Sequence, residues 1–281
     1  MKCICCESCE FEVFSKNSWL NTPVNRCKKC GLLITGESLE KLENTLKEYY
    51  TKNITNEELE RTINSNFQSN HGKYITNQTK SMIEYTRKKF TGKKFLDIGP
   101  GPGISLILLE DMGFKVMAVE QNKNCVEFIN KKLKNGRIIQ GFFDDVNIKE
   151  KFDLIWISHA LEHMPRPDEI LKKCKNLLEK DGIIFVAVPN CENPKILWDS
   201  INENASSFHY SKNTITMIGK HADLKVVSID TFRELYRFES RFHSILEKYL
   251  KKINRILCPY YPFKKSSGKK SHEIRVIFRN T

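Results

Sequence analysis

From Lys94 onward, short apolar runs alternate with helical patterns, and that alternation limits the fold more than any single motif. The runs fall at 94–98, 115–119, 137–140, 152–157 and 182–188, with helical spacing at 103–112, 122–134 and 166–179. Short apolar strands separated by helices imply a parallel sheet covered on both faces. Two further strand candidates, LKVVSID at 224–230 and HEIRVIFRN at 272–280, flank a basic helical segment at 234–257. Upstream, Leu39, Leu42, Leu46 and Tyr49 recur at helical spacing in a helix expected to end near Asn53, and a second helix is expected over 76–90.

The stretch FLDIGPGPGIS, residues 95–105, ends the first of these strands at Asp97 and Ile98 and then sets Gly99, Gly101 and Gly103 at every second position. Open α/β sheets bind ligands at the carboxyl ends of their strands, where bare backbone lets a polar group approach main-chain N–H. A helix starting near Gly103 adds its positive end, suited to a carboxylate or phosphate. The second strand, KVMAVE, closes on Glu120, about twenty residues after the glycines and placed to accept hydrogen bonds from ribose hydroxyls. A dinucleotide fingerprint would need its third glycine at position 104, which is Ile104. Pyrophosphate has no use for a carboxylate such as Asp97 beside it, whereas a nucleoside carrying an ammonium group does.

Six of the ten cysteines crowd into residues 3–30. Cys3 and Cys6 form one C-x2-C pair, twenty residues intervene, and Cys27 and Cys30 form another, followed by Gly31. Two such knuckles can present four thiolates to one Zn2+, and the metal replaces a core that so short a segment cannot supply. Cys6 with Cys9 is an alternative pair, and Cys5 is a further neighbour. A tetrathiolate site has no open position for water, so this zinc ribbon is expected to be structural rather than catalytic. Clustered cysteines favour metal over disulfides in a reducing compartment. With no long apolar leader and no apolar run near the roughly 20 residues that span a bilayer, the chain reads as cytoplasmic. Its 46 Lys and Arg against 34 Asp and Glu give +12, a surface that prefers anionic company without naming a partner.

Four stretches in order resemble the class I S-adenosylmethionine-dependent methyltransferases: FLDIGPGPGISL, VMAVEQN, KFDLIWISHALEHMPRPDEIL and LLEKDGIIFVAVPN, within residues 75–232. The resemblance implies an α/β fold with a doubly wound, seven-stranded, mostly parallel Rossmann-like sheet. Its last strand would run antiparallel between the fifth strand and LKVVSID. The expected organisation is a zinc ribbon at 1–36, a helical linker at 37–72 and the methyltransferase domain at 73–281. By the same resemblance, Asp97 and the Gly99, Gly101 and Gly103 backbone hold the methionine part of S-adenosylmethionine. Glu120 with Gln121 holds the ribose, Phe142 and Asp144 the adenine end, and Ser158 and His159 lie beside the donor.

Methyl transfer needs alignment and exclusion of water, and a base only where the acceptor carries a proton. His159 and His209 are the candidate bases, with Tyr210 beside the latter; His163 reads as structural. A four-cysteine ribbon on this core resembles bacterial sugar and surface-polysaccharide methyltransferases, including the deoxysugar C-methyltransferases. The Glu-His pair of those C-methyltransferases is replaced by Ala205 and Ser206, and their further large C-terminal domain is not found. O-methylation of a sugar, nucleotide-sugar or glycan hydroxyl is therefore expected. RNA methylation is the alternative, using Lys251, Lys252, Arg255, Lys264, Lys265, Lys269 and Lys270, although VPN lacks an Asn-Pro-Pro-Tyr type motif. A non-catalytic scaffold is the remaining alternative.

Overall fold

The computed structural model describes residues 1–52, 70–204, 206–234, 263–266 and 271–281. The N-terminal unit folds into three short antiparallel strands, β1 (Phe11–Ser15), β2 (Val24–Cys27) and β3 (Leu33–Thr35). The residue after each cysteine pair is left-handed, Glu7 at φ 60° and Gly31 at φ 80°. Helix α1 (Leu39–Lys52) buries Leu42 and Leu46, and α2 (Asn70–Arg87) buries Met82 and Ile83. Helix α2 thus begins earlier than its expected span.

The chain then winds as the alternation requires. In order come β4 (Lys94–Ile98), α3 (Ile104–Asp111), β5 (Lys115–Glu120), α4 (Lys123–Lys132), β6 (Arg137–Gln140) and β7 (Phe152–Ser158). After β7 follow α5 (Pro167–Asn176), β8 (Leu178–Pro189), α6 (Pro194–Asn202), β9 (Phe208–His209) and α7 (Lys212–His221). Strands β10 (Leu224–Glu234), β11 (Phe263–Ser266) and β12 (Glu273–Asn280) complete the described elements. The main sheet runs β11-β10-β12-β8-β7-β4-β5-β6. Strands β4 to β8 are parallel, and β12 is antiparallel between β8 and β10, pairing Val276 with both Val186 and Ile229. This is the place expected for HEIRVIFRN. The sheet nevertheless has eight strands rather than seven. The addition, β11, is too polar to show an apolar period, and its Lys265 pairs with Asp230 at 2.6 Å across the sheet edge.

Alternation along the strands assigns the two faces. Leu96, Ile98, Ile155 and Ile157 pack with Ile170 of α5 and Ile218 of α7, while Phe95, Leu154 and Trp156 pack with Met82 of α2, Leu106 of α3 and Ile129 of α4. Cys3, Cys27, Leu32 and Ile34 of the ribbon belong to the first of these clusters. Strand β9 adds itself to β3 in the register Leu33–His209 and Ile34–Phe208, making a second sheet of order β1-β2-β3-β9. The ribbon is thereby continuous with the core. The expected basic helical segment, with Lys251, Lys252 and Arg255, and the Lys269–Lys270 pair lie outside the described residues, as does the side chain of Lys264. Among the described residues no helix is long and apolar enough to cross a membrane.

Gly219, inside α7, shows how closely helix and sheet approach. A Cβ built there overlaps the ring of Phe278, which is fully buried. Helix propensity would favour Ala by about 1 kcal/mol, but overpacking against a fixed ring costs about 1–3 kcal/mol. Gly219→Ala is therefore expected to destabilise the protein by up to about 2 kcal/mol in urea unfolding, and a variant more stable than the parent would show that this packing is wrong.

Candidate active site

The turn after β4 is left-handed at Gly99 (φ 69°), Gly101 (φ 55°) and Gly103 (φ 74°). Two of these need glycine for different reasons. A Cβ at Gly103 would lie 2.7 Å from Cγ1 of Ile129, so helix α4 closes down on it. A Cβ at Gly101 meets nothing within 4 Å, and its open backbone N–H donates to Oε2 of Glu120 at 3.1 Å. The other carboxylate oxygen of Glu120 accepts the Asn122 N–H at 2.8 Å. Asp97 accepts from the hydroxyl of Ser105.

Both acids are buried, Asp97 at 2 % and Glu120 at 6 % exposure. Burial pushes the Asp97 carboxyl up to about 7, and the nearby Glu120 charge adds to this while the Ser105 hydroxyl opposes it. Burial also raises Glu120, against the N–H groups of Asn122, Gly101 and Gln121. A cavity of about 230 Å³ takes in Gly101, Glu120, Gln121, Phe142, Asp144 and His159. A second, of about 630 Å³, takes in Asp97, Gly99, Ser105, Ser158, His159 and Gln78. The sequence-selected donor and base residues other than Gly103 and His209 fall around two cavities joined at Gly99 and His159.

Phe142 and Phe143 divide the roles between them. Phe142 is half-buried and lines the first cavity, while Phe143 is the core aromatic, at 5 % exposure. The ammonium of Lys173 lies 4.7 Å above the Phe143 ring and donates to the carbonyls of Asp144 (3.0 Å) and Val146 (2.7 Å), fixing this loop. Burial raises the Asp144 carboxyl, with Lys173 opposing. Ser158 donates toward Sδ of Met82 at 3.4 Å.

His159 is one of the few non-glycine residues with positive φ, 51°. Its ring stands between two buried carboxylates: Nδ1 is 3.6 Å from Oε1 of Glu162 and Nε2 is 3.2 Å from Oε2 of Glu273. Burial alone would lower its pKa, but Glu162 and then Glu273 outweigh it and raise the value. Glu273 is in turn held by Arg275, whose Nε donates at 2.5 Å, and by Gln78 at 2.6 Å; its carboxyl is lowered to about 2 although burial works the other way. A raised pKa disfavours the neutral imidazole that a base needs, and the geometry suits a clamp.

His209 requires a correction. It lines neither cavity; its Nδ1 is 2.8 Å from Oγ of Ser200 and its Nε2 is 3.0 Å from Oγ1 of Thr35. Burial, then His163, lowers its pKa to about 3. Position 209 is a neutral bridge between ribbon and core, and Tyr210 is fully buried beside it. The cysteine sulfurs of Cys3, Cys6, Cys27 and Cys30 all lie within 4.8 Å of one another, with Cys3 to Cys30 and Cys6 to Cys27 each at 3.5 Å. Cys5 instead donates to the Thr214 carbonyl at 3.6 Å, and Cys9 is exposed.

Sequence patterns missed Leu46 and Lys47, which line the first cavity from α1, and Gln78 and Glu273, which clamp His159 from α2 and β12. Each arrives through tertiary packing and carries no local motif. The neighbouring Arg275, wholly buried and 4.0 Å above the Phe232 ring, was the available signal for Glu273, as a charge in an apolar strand needs a partner.

Comparison with known proteins agrees with this arrangement. Ubiquinone biosynthesis O-methyltransferases are similar: that of Glaesserella parasuis is 28 % identical over 127 residues, 42 % of this chain and 50 % of the relative. That of Haemophilus ducreyi is 31 % identical over 109 residues, 35 % and 46 % respectively. The chain therefore spans about half the length of these curated relatives. Among solved structures, an S-adenosylmethionine-dependent methyltransferase from Archaeoglobus fulgidus superposes with TM-score 0.53 at 20 % identity, covering 73 % of this chain and 94 % of that one. Another, from Clostridium acetobutylicum, gives 0.52 at 14 %, covering 73 % and 91 %. The fold is thus the Rossmann-like α/β fold of these enzymes. A family described as a methyltransferase domain matches residues 72–229, more than half the chain, and the protein belongs to that family.

Proposed function

We propose that the protein is an S-adenosylmethionine-dependent methyltransferase that methylates a hydroxyl of a small-molecule acceptor. The supporting observation is the placement of two buried carboxylates on either side of the bare glycine turn. Asp97 faces the second cavity and Glu120 the first. A donor with an ammonium at one end and a ribose diol at the other satisfies both. The bound donor supplies an activated methyl group; Asp97 would take its ammonium, Glu120 its hydroxyls, and Phe142 with Leu46 the apolar face of its base. O-methylation follows the names of the relatives. A sugar, nucleotide-sugar or glycan acceptor rests only on the pairing of ribbon and core, so a hydroxylated small molecule is the broader reading.

The cysteine cluster would hold a structural Zn2+. Tetrahedral Zn–S bonds of about 2.3 Å put sulfurs about 3.8 Å apart, close to the 3.5 Å pairs here. None of the described cysteines is in a disulfide, which suits a reducing cytoplasm. One zinc per chain is expected by atomic emission, and a protein purified without metal yet fully folded would refute this role.

Calorimetry with S-adenosylmethionine should show one site. Glu120→Ala should weaken it about 10- to 100-fold, the worth of charged hydrogen bonds. Absence of binding by the parent would sink the reading. Asp97 makes a second prediction. Its pKa rises from 3.8 to about 7 on folding, so its favourable contribution is present below pH 4 and lost as pH climbs toward 7. The loss is at most about 4 kcal/mol. Without donor, Asp97→Asn should therefore gain stability over the parent as pH is raised from 4 to 8, while losing donor affinity. A stability difference that does not change with pH would contradict this burial.

A further inference from the structure

His159 occupies the wall shared by the two cavities. Its left-handed backbone costs on the order of 1–3 kcal/mol and survives only where surroundings enforce it. One enforcing contact is its own N–H, which donates to the Ala187 carbonyl at 2.8 Å. The ring is set by Glu162 on one side and by Glu273 with Gln78 on the other. Glu273 is anchored within the main sheet by Arg275. What anchors Glu162 is less obvious, and the bonds around it lead out of the domain core.

Glu162 sits in the single 3₁₀ turn Leu161–His163 at 2 % exposure. Its Oε1 faces His159 at 3.6 Å and Nε2 of His163 at 3.9 Å, while its Oε2 has no hydrogen-bond partner among the described residues. The side chain is therefore not fixed by its own bonds. Its backbone is: the Glu162 carbonyl accepts the Ser207 N–H at 2.8 Å, and the Ser207 carbonyl accepts the Thr35 N–H at 2.9 Å. Beside this, the Ser206 carbonyl accepts both Nε1 of Trp19 (2.9 Å) and Oγ1 of Thr35 (3.2 Å). Thr35 and Trp19 are ribbon residues. Strand β3, which carries Thr35, leaves directly from the Cys27–Cys30 knuckle, where the Cys27 N–H donates to the Leu32 carbonyl at 2.9 Å.

We propose that Glu162 is a positioning residue for His159, and that the cysteine-held ribbon in turn positions Glu162 through Thr35 and Ser207. That His159 borders the transfer site rests on the function proposed above; the linkage itself does not. Metal would hold the two knuckles, the knuckles hold β3, and β3 holds the 206–209 segment onto the 3₁₀ turn. Release of the metal would free that segment and leave His159 with Glu273 alone. The main sheet has its own strand ladders and does not need the ribbon to stay paired.

Two readouts on the full-length, zinc-loaded protein test this. Hydrogen exchange before and after a zinc chelator should speed by about tenfold or more at 159–163 and 206–210, with 94–98 and 183–188 unchanged. In NMR titration of the His159 ring, Glu162→Gln should lower its pKa by about one unit or more and Glu162→Asp should restore part of it; chelation should move the parent in the same direction as Glu162→Gln. The groups facing the His159–Glu162 pair are Glu273, Gln78 and His163, with Arg275 behind Glu273 and Tyr210 and Cys191 near Glu162; none is altered by these variants. A ring titration unmoved by Glu162→Gln overturns the positioning role. A chelated protein that opens at 206–210 but not at 159–163, one that unfolds everywhere at once, or one that never bound metal overturns the link to the ribbon. Donor calorimetry stays independent: no donor binding with both readouts as expected sinks only the methyltransferase reading.

Discussion

Two carboxylates buried at neighbouring strand tips, with only neutral donors around them, are the constraint on which this structure turns. Asp97 has the Ser105 hydroxyl and Glu120 has backbone N–H groups. Among the described residues neither is paired with a cation, so both remain more costly to ionise than in water. A fold optimised for stability alone would not keep them. In the function proposed here, that cost would be offset by a ligand bringing an ammonium to one acid and hydroxyls to the other across the glycine turn. The whole parallel sheet serves to bring these two tips side by side, as the Asp97–Ala118 and Ile98–Val119 register shows.

Much of this was legible in the sequence because it is local. Asp97 and Glu120 lie at the ends of strands of clear apolar character with the glycines following the first, and the cysteine spacing pointed to the cluster, with geometry choosing Cys3 and Cys6 over Cys5 and Cys9. The antiparallel last strand also fell where the family resemblance puts it. What escaped depends on long-range contact. Gln78 and Glu273 reach His159 from 81 and 114 residues away. Strand β9 is two residues long, too short for any periodicity. His209 was misassigned for that reason, since a histidine after the fifth strand looks available until the ribbon's edge is seen covering it.

The electrical state of His159 bears on the chemistry. Carboxylates beside both ring nitrogens favour the protonated ring, which is unsuited to take an acceptor proton. Glu162 on one side and Glu273 on the other hold the ring at the cavity wall. In-line methyl transfer depends on alignment more than on proton removal, and a positioned ring at the cavity wall suits it.

The ribbon changes how the variable side of the fold is built. In open α/β folds the loops beyond the strand tips vary and carry specificity. Here part of the loop after β8 is recruited as a strand of a second sheet, closing an otherwise open edge of β3. Edge strands invite pairing with other chains, and covering one is a general means of avoiding it. The matched family segment begins at residue 72, so the ribbon that shapes this loop lies outside that segment. Similarity in the core therefore speaks for the methyltransferase fold, while the 206–209 segment is shaped by the ribbon beside it.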